Sequence, residues 1–175
     1  YENHTRNKEL LKYAQTDALT GLYNKETTEQ LTDELLSEDE NKYHAFLILD
    51  VDCFKQINDI YGHAVGDIVL QKFGKLLKGT FREGDILGRI GGDEFGVIMK
   101  NIQTKDIAMK KAEELLAKTQ AYKIDELKGN NISISIGIST APQDGDCYMD
   151  LYKRADQALY QAKRSGKARV CNYFS

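Results

Sequence analysis

The sequence has few of the residues that stiffen or cross-link small extracellular domains. Its 175 residues include one proline, no tryptophan and three cysteines, at Cys53, Cys147 and Cys171. An odd number of widely spaced cysteines without a CxxC pair argues against a disulfide framework or a zinc site, and it fits a reducing cytosol. The sequence therefore favours a cytoplasmic domain that is held together by its hydrophobic core.

The sequence also lacks an excess of charge of one sign. Its 24 basic and 27 acidic residues leave a formal net charge of −3, which is too balanced to favour electrostatic binding to nucleic acid. No apolar run approaches the roughly 18 residues of a membrane span, and no signal peptide opens the sequence. We therefore expect no nucleic-acid partner and no membrane insertion of this chain.

Four segments have the patterns of β-strands. The apolar run at 43–50 ends abruptly in an acid, which predicts a buried central strand. Segments 85–90 and 94–100 flank Gly-Gly-Asp and predict a tight hairpin, whose glycines are expected to supply positive φ angles. Residues 131–139 alternate strictly between isoleucine and small residues, which predicts a half-buried strand.

Apolar residues at helical spacing predict four helices, at about 25–36, 64–77, 108–116 and 148–164. Asn24 is the expected N-cap of the first. From the first strand onward the order is β-α-β-β-α-β with a closing helix. This order predicts an α+β domain of the ferredoxin-like, split βαβ type with flanking helices.

Residues 3–15 are helix-prone but offer few apolar positions to bury. They are either a frayed terminus or the end of a helix that connects this chain to an upstream domain. We expect residues 1–15 to be the end of such a connecting helix, and residues 16–175 to form the folded domain.

Three carboxylates converge on one edge of the predicted sheet. Asp50 ends the first strand, while Asp93 and Glu94 stand side by side at the hairpin tip. Such acids repel each other unless a cation lies between them, and all-oxygen ligands favour Mg²⁺ or Mn²⁺ over zinc. The alternative is that Asp50 merely ends a strand and the other two are ordinary turn residues.

The segment 52–67 is a polar, glycine-containing connection that leads into a helix. Such a connection can offer backbone N–H groups to phosphate. Its Asn58 and Asp67 could pair with the N1–H, N2–H₂ and O6 groups on the edge of guanine. Asn and Asp are also routine loop and cap residues, so this pattern alone leaves both interpretations open.

Four motifs together resemble the GGDEF domain of diguanylate cyclases. They are DALTGLYNK (17–25), DVDCFKQINDIYGHAVGD (50–67), GGDEF (91–95) and RADQALYQAKRSGK (154–167). The resemblance spans about residues 16–167 and implies the palm fold of nucleotide cyclases. It also implies an enzyme that condenses two GTP molecules into cyclic di-GMP and two pyrophosphates.

The resemblance implies a role for each of the acids. Asp50, the Val51 carbonyl, Asp93 and Glu94 would hold two Mg²⁺ ions, with Mn²⁺ as a possible substitute. Asp50, Asp93 and Glu94 would be the catalytic residues. Asp93 is the usual candidate for taking the proton from the attacking 3′-hydroxyl, although the choice between Asp93 and Glu94 stays open until the turn geometry is known.

The resemblance also implies a set of GTP contacts. The residues are Phe54 and Lys55 at the phosphates, Asn58 and Asp67 at guanine, His63 near the nucleotide, and Lys163 and Lys167 at the phosphates. Lys167 stands where the family often has arginine, so it keeps the charge but loses the planar fork of a guanidinium. Because adenine has no N1–H to donate, Asp67 favours GTP over ATP.

A further motif, REGD at 82–85, is an RxxD that precedes the GGDEF sequence. In the family an RxxD at this offset is the product-inhibition site. Arg82 would pair with the phosphate or guanine of cyclic di-GMP, and Asp85 with a guanine donor. The alternative is a surface ion pair at the start of a strand.

Catalysis in this family implies a homodimer, because each domain holds one of the two GTP molecules. The resemblance also implies an upstream sensory domain, and it leaves open whether the full-length protein is membrane-anchored. Two alternatives belong to other classes. One is a non-catalytic module that binds GTP or cyclic di-GMP, and the other is an adenylate-type cyclase or polymerase palm. Robust turnover of ATP alone would favour the latter.

Overall fold

The computed structural model describes residues 2–38 and 41–174. This part of the chain forms one five-stranded sheet with six α-helices. The strands are β1 (His44–Val51), β2 (Ile86–Arg89), β3 (Glu94–Met99), β4 (Ile134–Ala141) and β5 (Val170–Asn172). The helices are α1 (Glu2–Gln15), α2 (Lys25–Glu38), α3 (Phe54–Tyr61), α4 (His63–Thr80), α5 (Lys105–Ala121) and α6 (Tyr148–Arg164).

The strand order β2-β3-β1-β4-β5 confirms the split βαβ arrangement. β3 lies antiparallel between β1 and β2, and β4 lies antiparallel on the other side of β1. β1 is the central strand of the sheet. All eight of its residues are buried, as its continuous apolar run predicted. Its C-terminal end therefore faces the tip of the β2–β3 hairpin.

The sheet separates two apolar clusters, because successive side chains of a strand point to opposite faces. On one face Leu47 and Leu49 pack with Phe73 of α4 and Leu115 of α5. On the other face Phe46 and Ile48 pack with side chains of α2 and α6. Asp50 continues the second set in the alternation, so its carboxylate lies on the face that α6 covers.

The predicted helices are confirmed with small shifts at their ends. Asn24 caps α2, since its Oδ1 accepts a hydrogen bond from the backbone N–H of Thr27 at 2.9 Å. Residues 3–15 lie in α1, where Leu10, Leu11 and Tyr13 are 59%, 58% and 80% exposed. The assignment of α1 to a connecting helix stays a prediction.

The prediction of a half-buried strand at 131–139 is wrong in its bounds and in its burial. β4 begins at Ile134, and all eight of its residues are buried. Its small residues face α6: Gly137 lies against the helix backbone, and the Ser139 hydroxyl donates to the Leu151 carbonyl at 2.8 Å. Small residues allow close helix approach here, so their alternation with isoleucine does not indicate a solvated face.

Two local predictions are also corrected. The segment 52–67 is more than a connection, because it contains the eight-residue helix α3. The hairpin is not a two-residue turn, and neither Gly91 nor Gly92 has a positive φ angle. Ile90 and Gly91 both donate their N–H groups to the Glu94 carbonyl, so the longer connection 90–93 reverses the chain without left-handed glycines.

Candidate active site

The pairing of β1 with β3 brings the predicted acids together. Asp50 and Glu94 are direct partners across the two antiparallel strands. Directly opposite residues have Cβ atoms about 5 Å apart and share a face of the sheet. Asp93 lies in the preceding turn, and its carbonyl accepts a hydrogen bond from the Val51 N–H at 3.3 Å. The end of β1 and the hairpin tip therefore form one acidic edge.

Asp50 is the most buried member of this edge, at 8% exposure. Burial and the neighbouring carboxyl group of Asp93 raise the pKa of Asp50 to about 7, although contact with the Lys163 ammonium group works in the opposite direction. Asp50 Oδ1 is buried and has no hydrogen-bond partner among the described residues. Asp50 Oδ1 is thus an unused acceptor, and the positive charge beside this carboxylate is the Lys163 ammonium group.

Glu94 is held from the opposite side by a residue that the sequence did not single out. The Tyr152 hydroxyl of α6 donates a hydrogen bond of 2.8 Å to Glu94 Oε1. Burial raises the pKa of Glu94, while the hydrogen bond from Tyr152 opposes that rise. Burial and the contact with Glu94 also raise the pKa of Tyr152. Tyr152 therefore stays a hydrogen-bond donor at physiological pH.

The chemistry of these carboxylates suits a divalent cation. The Lys163 ammonium group already supplies one positive charge beside them. Their donor set is entirely oxygen, and the unpartnered Asp50 Oδ1 is available to a ligand. The carboxylate oxygens of Asp50, Asp93 and Glu94 do not all lie within 4.8 Å of one another. Within the described part of the chain, the one group of three potential ligand atoms that meets this distance belongs to Asp146, Cys147 and Asp150. A cation would therefore draw the carboxylates closer together and compete with Lys163.

The turn between β1 and α3 borders a recess that Cys53 and Lys167 line. Cys53 caps α3 in the left-handed conformation, with φ 56°, and the helix begins at Phe54. The first N–H groups of a helix have no partner within it, so those around Phe54 and Lys55 are suited to an anion. The ammonium group of Lys167 lies 3.2 Å from Cys53 Sγ and adds positive charge at this recess.

The predicted guanine contacts come together across the turn between α3 and α4. Asn58 Oδ1 is buried without a hydrogen-bond partner among the described residues. A Cβ atom on Gly66 would lie 1.9 Å from this oxygen, so the glycine is what leaves room for the amide. Asp67 follows Gly66 on α4, and both Asp67 and His63 are exposed. The structure thus places an unused acceptor next to an exposed carboxylate.

Comparison with known proteins identifies this arrangement. The family model described as "Diguanylate cyclase, GGDEF domain" matches residues 14–169. The chain belongs to the GGDEF family. Diguanylate cyclase A of Treponema denticola is 37% identical over 170 residues, which are 94% of this chain and 46% of the relative. The response regulator PleD of Caulobacter vibrioides is 37% identical over 97% of this chain and 39% of its own length.

Solved GGDEF structures have the same fold. The coiled coil and GGDEF domain of DgcB from Caulobacter crescentus, in complex with cyclic di-GMP, matches with a TM-score of 0.89 and 25% identity, over 98% of this chain and 92% of that chain. The GGDEF domain of TpbB from Pseudomonas aeruginosa matches with a TM-score of 0.86 and 33% identity, over 91% and 94%. This chain spans less than half the length of the curated relatives named above.

The match places residues 14–169 in the family described as diguanylate cyclase, GGDEF domain, whose members are expected to need a divalent metal ion. The residues described above are compatible with that need. No helix in the described ranges is both long and apolar enough to cross a membrane.

The RxxD residues of this GGDEF domain already have partners. Arg82 donates to the Lys100 carbonyl and lies 3.5 Å from Asp85 Oδ1. The Asp85 side chain is only 2% exposed and accepts hydrogen bonds from the N–H groups of Arg82 and Lys100, both at 3.1 Å. The two residues form an ion pair just before β2, and the Arg82 side chain is 61% exposed.

Two further groups that support the GGDEF site were not assigned a role from the sequence. Arg89 donates to the Gly92 carbonyl at 3.0 and 2.7 Å and to Asp17 Oδ1 at 3.1 Å, which ties the hairpin tip to the segment before α2. Asp52 accepts hydrogen bonds from Ser133, Ser135 and the Ala168 N–H. The contacts of Arg89 with Asp17 and of Asp52 with its partners bridge distant segments, so no local spacing indicates them.

Proposed function

We propose that this domain condenses two GTP molecules into cyclic di-GMP and two pyrophosphates. The observation that carries the proposal is the direct pairing of Asp50 with Glu94 on the two central strands, next to Asp93 and against Lys163. A set of oxygen ligands beside a phosphate recess suits a nucleotide substrate bound with a metal ion.

Each group has a distinct task in this proposal. Asp50, the Val51 carbonyl, Asp93 and Glu94 hold Mg²⁺, for which Mn²⁺ can substitute. When bound, the metal neutralises phosphate charge and lowers the pKa of the attacking 3′-hydroxyl. Asp93 takes the proton of that hydroxyl, because Glu94 Oε1 already accepts a hydrogen bond from Tyr152.

The remaining contacts hold the nucleotide. Backbone N–H groups around Phe54 and Lys55, together with the ammonium groups of Lys163 and Lys167, bind the triphosphate. The unpartnered Asn58 Oδ1 accepts a hydrogen bond from guanine, and Asp67 accepts from N1–H and N2–H₂. His63, the first residue of α4, would lie near the nucleotide.

Cyclic product requires two of these sites, because each bound GTP supplies both an attacking hydroxyl and an α-phosphorus. We therefore place the reaction in a homodimer whose two acidic edges face each other. The α1 helix would continue into an upstream sensory domain that sets the dimer geometry.

Product inhibition through Arg82 and Asp85 is the regulatory part of the proposal. Arg82 is 61% exposed and would offer its remaining guanidinium N–H groups to cyclic di-GMP. Calorimetry with cyclic di-GMP should show binding that Arg82→Ala removes, while GTP turnover at low product stays intact. Equal binding by both proteins would contradict this role.

The test of the cyclase itself is incubation of the purified chain with GTP and Mg²⁺ at low and high protein concentration. Asp93→Ala should lower cyclic di-GMP formation by at least about 100-fold, because it removes a metal ligand and the base. Asp106→Ala, which changes an exposed acid on α5, is the matched control and should keep full activity. No cyclic di-GMP from the wild type at either concentration would overturn the proposal, and equal product from Asp93→Ala would overturn the role of Asp93.

A further inference from the structure

The function proposed above uses Tyr152 only to choose between two possible bases and leaves open what its contact does to the bound metal ion. Its hydroxyl donates to Glu94 Oε1 at 2.8 Å from the helix that also carries Lys163. We propose that Tyr152 is a positioning residue that leaves Glu94 a single oxygen for the metal ion and so favours Mg²⁺ over Ca²⁺. This inference rests on the proposed metal-dependent function.

The position of the Tyr152 hydroxyl is fixed by the packing of its ring. The ring lies 6.5 Å from that of Phe46 on β1 and 5.9 Å from that of Tyr148, one turn earlier on α6. α6 itself packs closely on β4 through Gly137. Because the core holds both α6 and the Tyr152 ring in place, the Tyr152 hydroxyl can determine the position of the Glu94 carboxylate rather than adjust to it.

The contact restricts how Glu94 can bind a cation. With Oε1 engaged by the hydroxyl, only Oε2 is free of that hydrogen bond. Mg²⁺ takes single carboxylate oxygens in an octahedral shell, whereas Ca²⁺ accepts six to eight ligands and often a bidentate carboxylate. Bidentate binding would have to share the oxygen that accepts the Tyr152 hydrogen bond, so this contact penalises Ca²⁺ more than Mg²⁺. Hydrogen bonds that orient metal ligands typically change metal affinity 10- to 100-fold.

Tyr148 provides a matched control on the same helix. Its ring packs against Phe46 at 5.5 Å, and its hydroxyl is buried without a hydrogen-bond partner among the described residues. Tyr148→Phe and Tyr152→Phe remove the same atom from neighbouring turns of α6. Only the second change releases Glu94, so a merely structural effect of losing a hydroxyl would appear in both variants.

The experiment measures metal binding without turnover. The wild type and both variants are saturated with a GTP analogue that has a methylene group between the α- and β-phosphorus atoms, which cannot release pyrophosphate. Bound Mn²⁺ is counted from the loss of the free-ion electron paramagnetic resonance signal. Mg²⁺ and Ca²⁺ are then titrated as competitors, with analogue alone as the blank.

Tyr152→Phe should lower the affinity for Mg²⁺ and Mn²⁺ about tenfold and that for Ca²⁺ less than threefold, so the preference for Mg²⁺ falls. Tyr148→Phe should match the wild type. If the metal affinities of Tyr152→Phe equal those of the wild type and Tyr148→Phe, or if Tyr152→Phe binds Mg²⁺ more tightly, the positioning role is overturned while the proposed function stands. A wild type that binds no Mn²⁺ beyond the blank would overturn the proposed metal site and this inference together.

Discussion

At the scale of single residues, Asp50 shows how the site depends on pH. Folding raises its pKa from 3.8 to about 7, chiefly through burial. The folded chain thus holds more protons than the unfolded chain between these values, so this group lowers the free energy of unfolding as pH rises through that window. The same proton competes with a divalent cation for Asp50.

We therefore predict that the affinity of the nucleotide-free chain for Mn²⁺ rises with pH between 6 and 8. Binding at pH 6 should release close to one proton, and at pH 8 far less. Calorimetry in two buffers with different ionisation enthalpies measures this release. A proton count that stays at zero at pH 6 would show that Asp50 is already ionised or does not bind the metal.

Ala168 is a second residue whose conformation makes a prediction. Its φ angle is 48°, in the left-handed region that alanine adopts at a cost of about 1 kcal/mol. Asparagine tolerates this region better, so Ala168→Asn should raise the free energy of unfolding by roughly 0.5–1 kcal/mol. Urea denaturation measures the change.

The same substitution elsewhere is the control for Ala168. Ala117 is exposed within α5, where asparagine is a poorer helix former than alanine. Ala117→Asn should lower the free energy of unfolding by about 0.5 kcal/mol. If both substitutions are destabilising, strain at Ala168 is not the dominant effect.

The acids and lysines of the site could be predicted at the residue scale because they lie in quoted local motifs. Asp50 and Glu94 required only one further step, the antiparallel pairing of two predicted strands. Tyr152 and Arg89 could not be predicted in the same way. Each acts through a partner more than fifty positions away, and its own neighbourhood is compatible with ordinary packing or a surface charge.

At the scale of elements, the contact between β4 and α6 holds the site together. A Cβ atom on Gly137 would lie 2.1 Å from the Ala155 carbonyl oxygen and 2.4 Å from the Leu159 nitrogen. Backbone atoms cannot rotate away, so Gly137→Ala must displace α6, which carries Tyr152 and Lys163. We predict a loss of about 3 kcal/mol in the free energy of unfolding, with a loss of cyclase activity.

Gly79→Ala is the control for the β4–α6 contact. Gly79 lies near the end of α4, and a Cβ atom there would meet nothing within 4 Å. Alanine should therefore raise the free energy of unfolding by about 0.5 kcal/mol. Thermal unfolding and GTP turnover are measured on both variants. If Gly137→Ala behaves like Gly79→Ala, the close contact between β4 and α6 does not hold the site together.

Element types were more predictable than their burial. Helical spacing of apolar residues predicted the helices, and a continuous apolar run predicted the central strand. The alternating pattern failed at β4, where serine and glycine face a close helix rather than water. β5 was not predicted at all: it has three residues, and it pairs in parallel with β4 only after α6 has returned the chain to the sheet edge.

At the scale of the whole molecule, one domain holds one of the two GTP molecules of the proposed reaction, and α1 leaves two adjacent leucines unburied. Leu10 and Leu11 are more than half exposed, at 59% and 58%. Exposed leucines on a helix are a common means of pairing two copies. The two observations together suggest that α1 supports the dimer in which two acidic edges meet.

Specific activity should therefore fall steeply on dilution, since dissociation separates the two bound GTP molecules. Replacing both Leu10 and Leu11 with glutamate should raise the protein concentration at half-maximal specific activity at least about tenfold, which corresponds to about 1.4 kcal/mol. Met149→Glu, at an equally exposed apolar residue on α6, should leave the dilution curve unchanged. Mass photometry at each concentration counts the dimers. Constant specific activity down to nanomolar protein, with only monomers present, would show that one domain suffices.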